Sequence, residues 1–542
     1  MWNTTRYLRP IQVYGRIWFH FLTPRVDLRA APPMRRVNGA WVPGARRAPS
    51  LVGPTRFRLL NDTRDVAVHG WDDPALDTLW RYNLHYFDDL NATGAATRES
   101  WHRALLERWV TENPPGKGTG WEPYPTSLRI ANWIKWAWGG NTLSQACLDS
   151  LAVQTRWLCG RLEMHLLGNH LFANAKALVF AGLFFTGPEA AAWLERGLGI
   201  LTTQVPEQIL PDGGQFERST MYQALALEDM LDLCNAFATH PTAIDQRWRD
   251  AITSWRTDVG SMRTWLSAMC HPDREIGFFN DAATQIAPSP TELERYAQQL
   301  GFPASDPRRV PVTHLRESGY VRLEQGLAVA LLDVAPVGPD HLPAHAHADT
   351  LSFELSLFGR RILVNSGTSH YRVDAERLRQ RGTAAHNTVV LDGADSSEVW
   401  SGFRVGRRAR PLGLEILQGD ALVVRCTHDG YERLGGGTRH TREWSLGVDR
   451  LRVRDVISGT PRHGEAWFHL HPSVAVVQVG STKARLQVAE SPPIDFSVEG
   501  GRLHQRAATW HPEFGTAVPT VSLVVELTSP ELRTMLTWDP SA

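Results

Sequence analysis

APSPTELERYAQQLGFPASDPRRVPV, residues 287–312, divides the chain into two textures. Five prolines fall in it (Pro288, Pro290, Pro303, Pro307 and Pro311) around one short stretch of helical spacing. Proline removes a backbone donor and breaks regular elements, so the segment reads as a linker carrying one short helix. Before it, from about Trp71 to Met269, apolar residues recur at three- and four-residue intervals, the period of an amphipathic helix. The clearest runs are Ser127–Trp138, Leu143–Met164, Leu171–Phe185, Ala190–Leu210, Tyr222–Phe237 and Ile244–Met269, with Gly, Pro, Asn and Asp in the connections. Helices in series without strands between them predict antiparallel helical hairpins, closed into a ring or stacked as a solenoid. After the linker the pattern becomes alternating or β-branched: Tyr320–Val334, Leu351–Leu357, Arg361–Val364, Thr388–Leu391, Leu414–Arg425, Arg450–Ile457, Glu465–Leu470, Val474–Val479 and Thr520–Leu527. Short runs separated by turn residues predict an antiparallel β-sandwich. The expected order is an Arg- and Pro-rich extension packed on the body (1–70), an all-helical domain (71–286), the linker (287–312) and an all-β domain (313–542).

Composition narrows the function. Of 542 residues, 42% are hydrophobic and 21% charged, which suits folded domains rather than a disordered or fibrous chain. Lys+Arg and Asp+Glu both count 57, so no bulk positive charge argues for nucleic-acid binding. Tryptophan is abundant at 21 residues, which fits a protein that stacks flat rings on sugars as well as one that buries them. The five cysteines are scattered and form no CxxC pair, so neither a disulfide framework nor a cysteine zinc site is signalled. The N-terminus lacks the apolar core of a secretory signal, and no apolar run is long enough for a membrane helix. The expectation is a cytoplasmic protein as written, with export by a less obvious route left open.

Four constellations carry possible chemistry. Gly168-Asn169-His170 opens an apolar helix, either as a plain helix entry or as an amide and imidazole placed to hold an anion. Asp212-Gly-Gly-Gln-Phe-Glu217-Arg218-Ser-Thr-Met-Tyr222 is a Gly-rich turn into a helix. A phenol has a pKa of about 10, so Tyr222 needs a nearby cation before it acts as a base. Arg218, four residues before it, shares its face on a helix. His341-Leu-Pro-Ala-His345-Ala-His347-Ala-Asp349 precedes a strand, and three histidines with one aspartate in nine residues is metal-site or catalytic composition. Asn365 through Tyr371, and Arg381 through Asp392 with His386, place further His and Asn at strand ends. No P-loop, GxSxG, HExxH or strand-linked GxGxxG is present.

With GNHLFANAKAL and ERSTMY, the HAHADTLSFELS and RGTAAHNTVVLDG blocks make the chain resemble the heparinase II/III-like polysaccharide lyases from about Trp80 to about Phe468. The resemblance implies an (α/α) toroid joined to an antiparallel β-sandwich, with a cleft between them. It implies β-elimination of a uronic-acid-containing polysaccharide. By motif, Asn169 and His170 would neutralise the uronate carboxylate, Tyr222 would be the acid and for one stereochemistry also the base, and His345 the base for the other. It further implies a zinc ion on His347, Asn365 and His386, where Asn365 stands in place of the family's usual acidic ligand. A neutral amide is a poorer zinc ligand than a carboxylate.

The expected partner is an anionic polysaccharide, with no nucleic acid and an oligomeric state left open. A neutral chain that binds a polyanion concentrates positive charge locally. The expected substrate contacts are Arg218 and Glu217, together with Trp121, Tyr124, Arg129, Asn132 and Trp136 from the GWEPYPTSLRIANWIKW stretch. Three rivals stay open: a uronate C5-epimerase on the same scaffold, a catalytically inactive carbohydrate-binding protein, and a hydrolase using Glu217 and Asp212 as paired carboxylates.

Overall fold

The computed structural model describes residues 2–304 and 310–541; Pro307 of the proline-rich segment lies outside them. The helices are α1 (Trp2–Thr5), α2 (Pro10–Phe21), α3 (Val66–His69), α4 (Thr78–Tyr86), α5 (Glu99–Glu112), α6 (Pro123–Trp138), α7 (Gln145–Gly160), α8 (Gly168–Phe184), α9 (Pro188–Gln208), α10 (Thr220–Thr239), α11 (Gln246–Ala268), α12 (Pro290–Gln299) and α13 (Ala375–Arg381). Helices α4, α6, α8 and α10 touch one another in turn and form an inner layer. Helix α7 packs on α5, and α9 on α11, as an outer layer, while α8–α9 and α10–α11 are hairpins. This is the two-layered arrangement of an (α/α) toroid. Its starts are set by local chemistry: Ser144, Ser219, Asp245 and Ser289 cap α7, α10, α11 and α12 through their side-chain oxygens.

The proline-rich segment is not a free linker. Ser289 and Pro290 start α12, whose Leu293, Tyr296 and Ala297 are buried in the helical core against α10 and α11. The six runs expected as helices match α6 to α11 with shifted ends, and α4 and α5 add to them because their apolar stripe is diluted by Arg, His and Glu.

Among the described residues the β region holds three large antiparallel sheets and one two-stranded hairpin. Val312–Leu315, Tyr320–Gln325, Ala328–Asp333, Phe353–Leu357 and Arg360–Leu363 form a five-stranded meander in sequence order. Sheets of eight and four strands face it and share one apolar core that includes Phe353, Trp444, Phe468 and Phe496. The run Tyr320–Val334 is a hairpin rather than one strand, folded at Gly326 with φ +58°, a conformation glycine adopts without steric cost.

Residues 23–65 run over the helical domain. Arg35 donates to the carbonyls of Gly182, Leu183 and Phe185, and Asn235 bonds both backbone groups of Val42. Among the described residues no helix is long and apolar enough to cross a membrane.

Candidate active site

A cleft of about 1400 Å³ lies between the inner helices and the β-domain loops. Its lining is supplied by the starts of α8 and α10, one side of α6, the His341–His345 loop, the Tyr371–Val373 and Trp400–Val405 segments, and α1–α2.

Tyr222 stands in the first turn of α10, where Ser219 accepts from its backbone N–H at 3.1 Å. Its hydroxyl lies 3.2 Å from that of Tyr371, and its ring centroid is 4.0 Å from that of His345. Burial, reinforced by Tyr371, holds the Tyr222 phenol well above its usual pKa, so it carries its proton at neutral pH. Arg218 does not polarise it. The residue sits before the helix with φ +61°, and its guanidinium turns away to the carbonyls of Ser318 and Phe216. A shared helical face requires both residues to be helical, and only Tyr222 is.

The cation near Tyr222 is instead Arg377 of α13, which makes two hydrogen bonds to the Asp281 carboxylate, that of Nη2 at 2.7 Å. Asp281 also accepts from His345 Nδ1 at 2.9 Å and His347 Nε2 at 2.8 Å. Burial alone would raise the Asp281 pKa, but Arg377 and the two imidazoles hold it well below the usual carboxylate range. A charged carboxylate on Nδ1 fixes the His345 tautomer and leaves Nε2 free to accept a proton. That nitrogen faces Glu217, whose Oε2 is 3.8 Å away and has no hydrogen-bond partner. Burial raises the Glu217 pKa against the pull of His345.

Across the cleft, Leu167 (φ +62°) and Gly168 (φ +54°) turn the chain into α8 and present Asn169 and His170 in its first turn. A Cβ on Gly168 would meet Leu342 Cδ2 at 2.5 Å and push that side chain of the His341–His345 loop aside, at a backbone φ of +54° that suits glycine. His170 Nδ1 is 2.9 Å from Glu163 Oε1, and its ring packs 4.5 Å from that of Tyr124. Burial opposes the charge on His170, but the Glu163 carboxylate wins and raises its pKa. The free N–H groups and dipole of a helix start favour an anion at this place.

Of the expected contacts, Tyr124, Asn132 and Glu217 line the cleft with the four catalytic candidates. Trp121, Arg129 and Trp136 do not. Arg129 is fully buried, donates to Gln154 and to the carbonyl of His85, and stacks 3.8 Å over Trp109. Trp121 donates its indole N–H to the carbonyl of Asn113, and Trp136 is buried under Arg103. The side of α6 that faces the cleft runs through Tyr124, Leu128, Ala131, Asn132 and Lys135, so of the Arg129–Asn132–Trp136 stripe only Asn132 reaches it. Asp212 is also outside the lining: it bonds Gly214 N and the backbone and hydroxyl of Ser318, so no carboxylate pair with Glu217 forms.

The metal candidates separate. His347 Nδ1 and His386 Nε2 lie 3.0 Å apart, while the other nitrogens are engaged by Asp281 and the carbonyl of Gly382. Two acceptors at the ends leave two neutral rings with lone pairs turned on each other, so a proton or a metal ion belongs between them. Burial pulls both rings down to about 4, which disfavours the proton. Asn365 is not part of this: its Nδ2 donates to Phe278 O and its Oδ1 accepts from Asn387 N. Among the described residues no three His, Cys, Asp or Glu side chains converge on one point. The three-residue ligand set therefore does not form; of its members only His347 and His386 face each other.

Asp281, Arg377, Tyr371, Glu163 and Phe403 were not singled out as site residues. Asp281 sits in a plain Asn-Asp-Ala-Ala stretch between α11 and α12, and Tyr371 stood in a quoted motif without a role. Only folding brings residues 222, 281, 345, 371 and 377 together.

Residues 66–306 match the heparinase II/III N-terminus, and residues 307–539 the heparinase II/III-like C-terminal domain. The chain belongs to the heparinase II/III family. A heparin-sulfate lyase of Bacteroides stercoris is 27% identical over 256 residues, which is 42% of this chain and 36% of that protein. A heparin-sulfate lyase of Pedobacter heparinus is 24% identical over 248 residues, with the same two shares, so the match spans about a third of the curated relatives. The fold is that of a crystal structure of heparinase III: TM-score 0.66, 17% identity, covering 84% of this chain and 76% of that one.

Proposed function

We propose that the protein is a polysaccharide lyase that cleaves a uronic-acid-containing chain by β-elimination. The observation that carries this is the close tilted contact of the protonated Tyr222 phenol, 4.0 Å between centroids, with the Asp281-oriented His345 imidazole, opposite the start of α8. Asn169 and His170 hold the uronate carboxylate and draw its charge, which acidifies C5–H. His345 Nε2, or the Tyr222 oxygen for the other C5 configuration, takes that proton. The C–H electron pair becomes the C4–C5 double bond, the C4–O bond breaks, and the leaving oxygen takes the Tyr222 proton. When the phenol serves as base it takes the C5 proton as it gives its own to the leaving oxygen, because the phenolate is too costly to form beforehand at such a raised pKa.

The names of the relatives support a heparan-sulfate-type substrate. The paired-carboxylate hydrolase reading falls with the displacement of Asp212. A divalent cation, zinc by ligand type, would be held by His347 and His386, where it would supply positive charge behind Asp281; none of the steps above runs through it. Heparan sulfate, heparosan, hyaluronan, chondroitin and alginate incubated with the protein test the reading. Growth of ultraviolet absorbance from an unsaturated uronate on one of them supports a lyase. Cleavage without absorbance, or C5 inversion without cleavage, overturns it.

A further inference from the structure

Six cations line the cleft: Arg16, Arg47, Lys135, Lys176, Arg372 and Arg404. Four are matched by carboxylates. Arg47 pairs with Glu228, Lys135 with Asp232 at 2.9 Å, Lys176 with Asp229 and Asp232 at 2.7 and 2.6 Å, and Arg372 approaches Asp374 at 3.7 Å. Among the described residues, the side chains of Arg16 and Arg404 have neither an ion pair nor a hydrogen bond. Arg16 is exposed on α2, and Arg404 is partly buried on the small hairpin Val399–Trp400 and Arg404–Val405. The two are neighbours: burial, and then the charge of Arg16, lowers the Arg404 pKa.

Helix α2 is held where it is from both sides. Arg161 donates to the carbonyls of Phe19 and Leu22, Arg9 pairs with Glu207, and Gln12 donates to the carbonyl of His341. Before it, Trp400 donates to Thr4 and Arg408 stacks 4.2 Å over Tyr7. The N-terminal segment therefore bridges the helical domain and the β loops across the cleft, although it precedes the family match, which begins at residue 66. Two like charges aimed into one cleft without a counter-charge repel each other, and an anion between them removes the repulsion.

We propose that Arg16 and Arg404 form a second anion subsite, which grips the carboxylate or sulfate of a sugar unit next to the one that is cleaved. The assignment of a sugar as its ligand rests on the lyase reading. Guanidinium groups suit it because they meet planar carboxylates and sulfates with two parallel hydrogen bonds. The N-terminal segment is thereby a specificity element added to the catalytic fold.

The test uses tetrasaccharides of a uronate–hexosamine chain, sulfated and chemically desulfated. Calorimetric binding is measured on the Tyr222→Phe background, which does not turn them over. Arg16→Gln and Arg404→Gln should each weaken binding about tenfold, the scale of one charge-assisted contact. The double variant should lose less than the product, because both arginines hold one anion, and its binding should depend less on salt. Arg404→Lys should recover part of the loss. With Tyr222 intact, KM should rise and kcat stay. Weakening on both oligosaccharides assigns a carboxylate, and weakening on the sulfated one alone assigns a sulfate. Unchanged binding in the double variant overturns the subsite, as does a parent that binds neither compound. A wild-type protein that binds but forms no unsaturated product sinks the lyase reading and leaves the subsite standing.

Discussion

Tyr222 is separable from the fold because its hydroxyl makes one hydrogen bond, to another hydroxyl. Tyr222→Phe should leave the melting temperature nearly unchanged and cut kcat by at least about 100-fold, the scale of a lost general acid; retained turnover on a confirmed substrate rejects the assignment. His170 carries a pH prediction. Its folded pKa is raised, so its charge persists to higher pH than that of a free imidazole and is lost as pH rises through the folded value. Glu163→Gln removes the carboxylate responsible and should move the alkaline limb of the kcat/KM profile to lower pH. An unmoved limb assigns that limb to another group. If His347 and His386 hold zinc as proposed, protein purified without chelator should carry close to one zinc per chain, lost on His386→Ala. A metal-free protein whose activity ignores chelator instead leaves a shared proton there. Arg129 behaves as core: Arg129→Ala should lower stability by about 2–5 kcal/mol, as for other large buried truncations, and leave KM of the remaining folded enzyme unchanged.

At the scale of elements, α8 works through its start. Gly168→Ala places a Cβ against Leu342 at a positive φ, so it should destabilise the protein by about 1–3 kcal/mol and displace the loop that carries His345. Activity should fall more than the folded fraction does. Gly199→Ala in α9 is the control, since nothing lies within 4 Å of the added Cβ, and it should be neutral or stabilising. If both variants lose activity alike, the close approach at Gly168 is not what positions the loop. Helix α6 shows where periodicity stops being informative. It is buried almost all round, so its sequence offers several apolar or aromatic stripes, and which one faces the cleft depends on neighbours the pattern does not name.

At the scale of the molecule, His345 of the β region, the proposed base, is oriented by Asp281 from the helical side, and Arg377 of α13 supplies the counter-charge. Arg377→Met leaves the buried Asp281 carboxylate without its cation, with only hydrogen bonds from His345, His347 and Thr368, which should cost about 3–5 kcal/mol and take kcat with it. Arg377→Lys should restore stability only in part, since an ammonium cannot make both parallel bonds. A kcat that survives Arg377→Met would show that the Asp281–His345 contact does not need its cation.

The sequence by itself determined the division into helices and sheets, because the two apolar periods and the proline-rich break are local properties. It also pointed to four residues that the structure brings to one cleft, Asn169, His170, Tyr222 and His345, since each sits in a short distinctive motif. Tertiary structure alone decided which polar groups meet. Asp281 and Arg377 are 96 positions apart, Asn365 is spent on the backbone of Phe278 and Asn387, and Asp212 on Ser318. Hydrogen bonds act over about 3 Å, so their partners are set by how the domains pack and not by spacing along the chain. The same reason hid Arg16 and Arg404, whose lack of partners becomes visible only when every carboxylate of the cleft has been assigned.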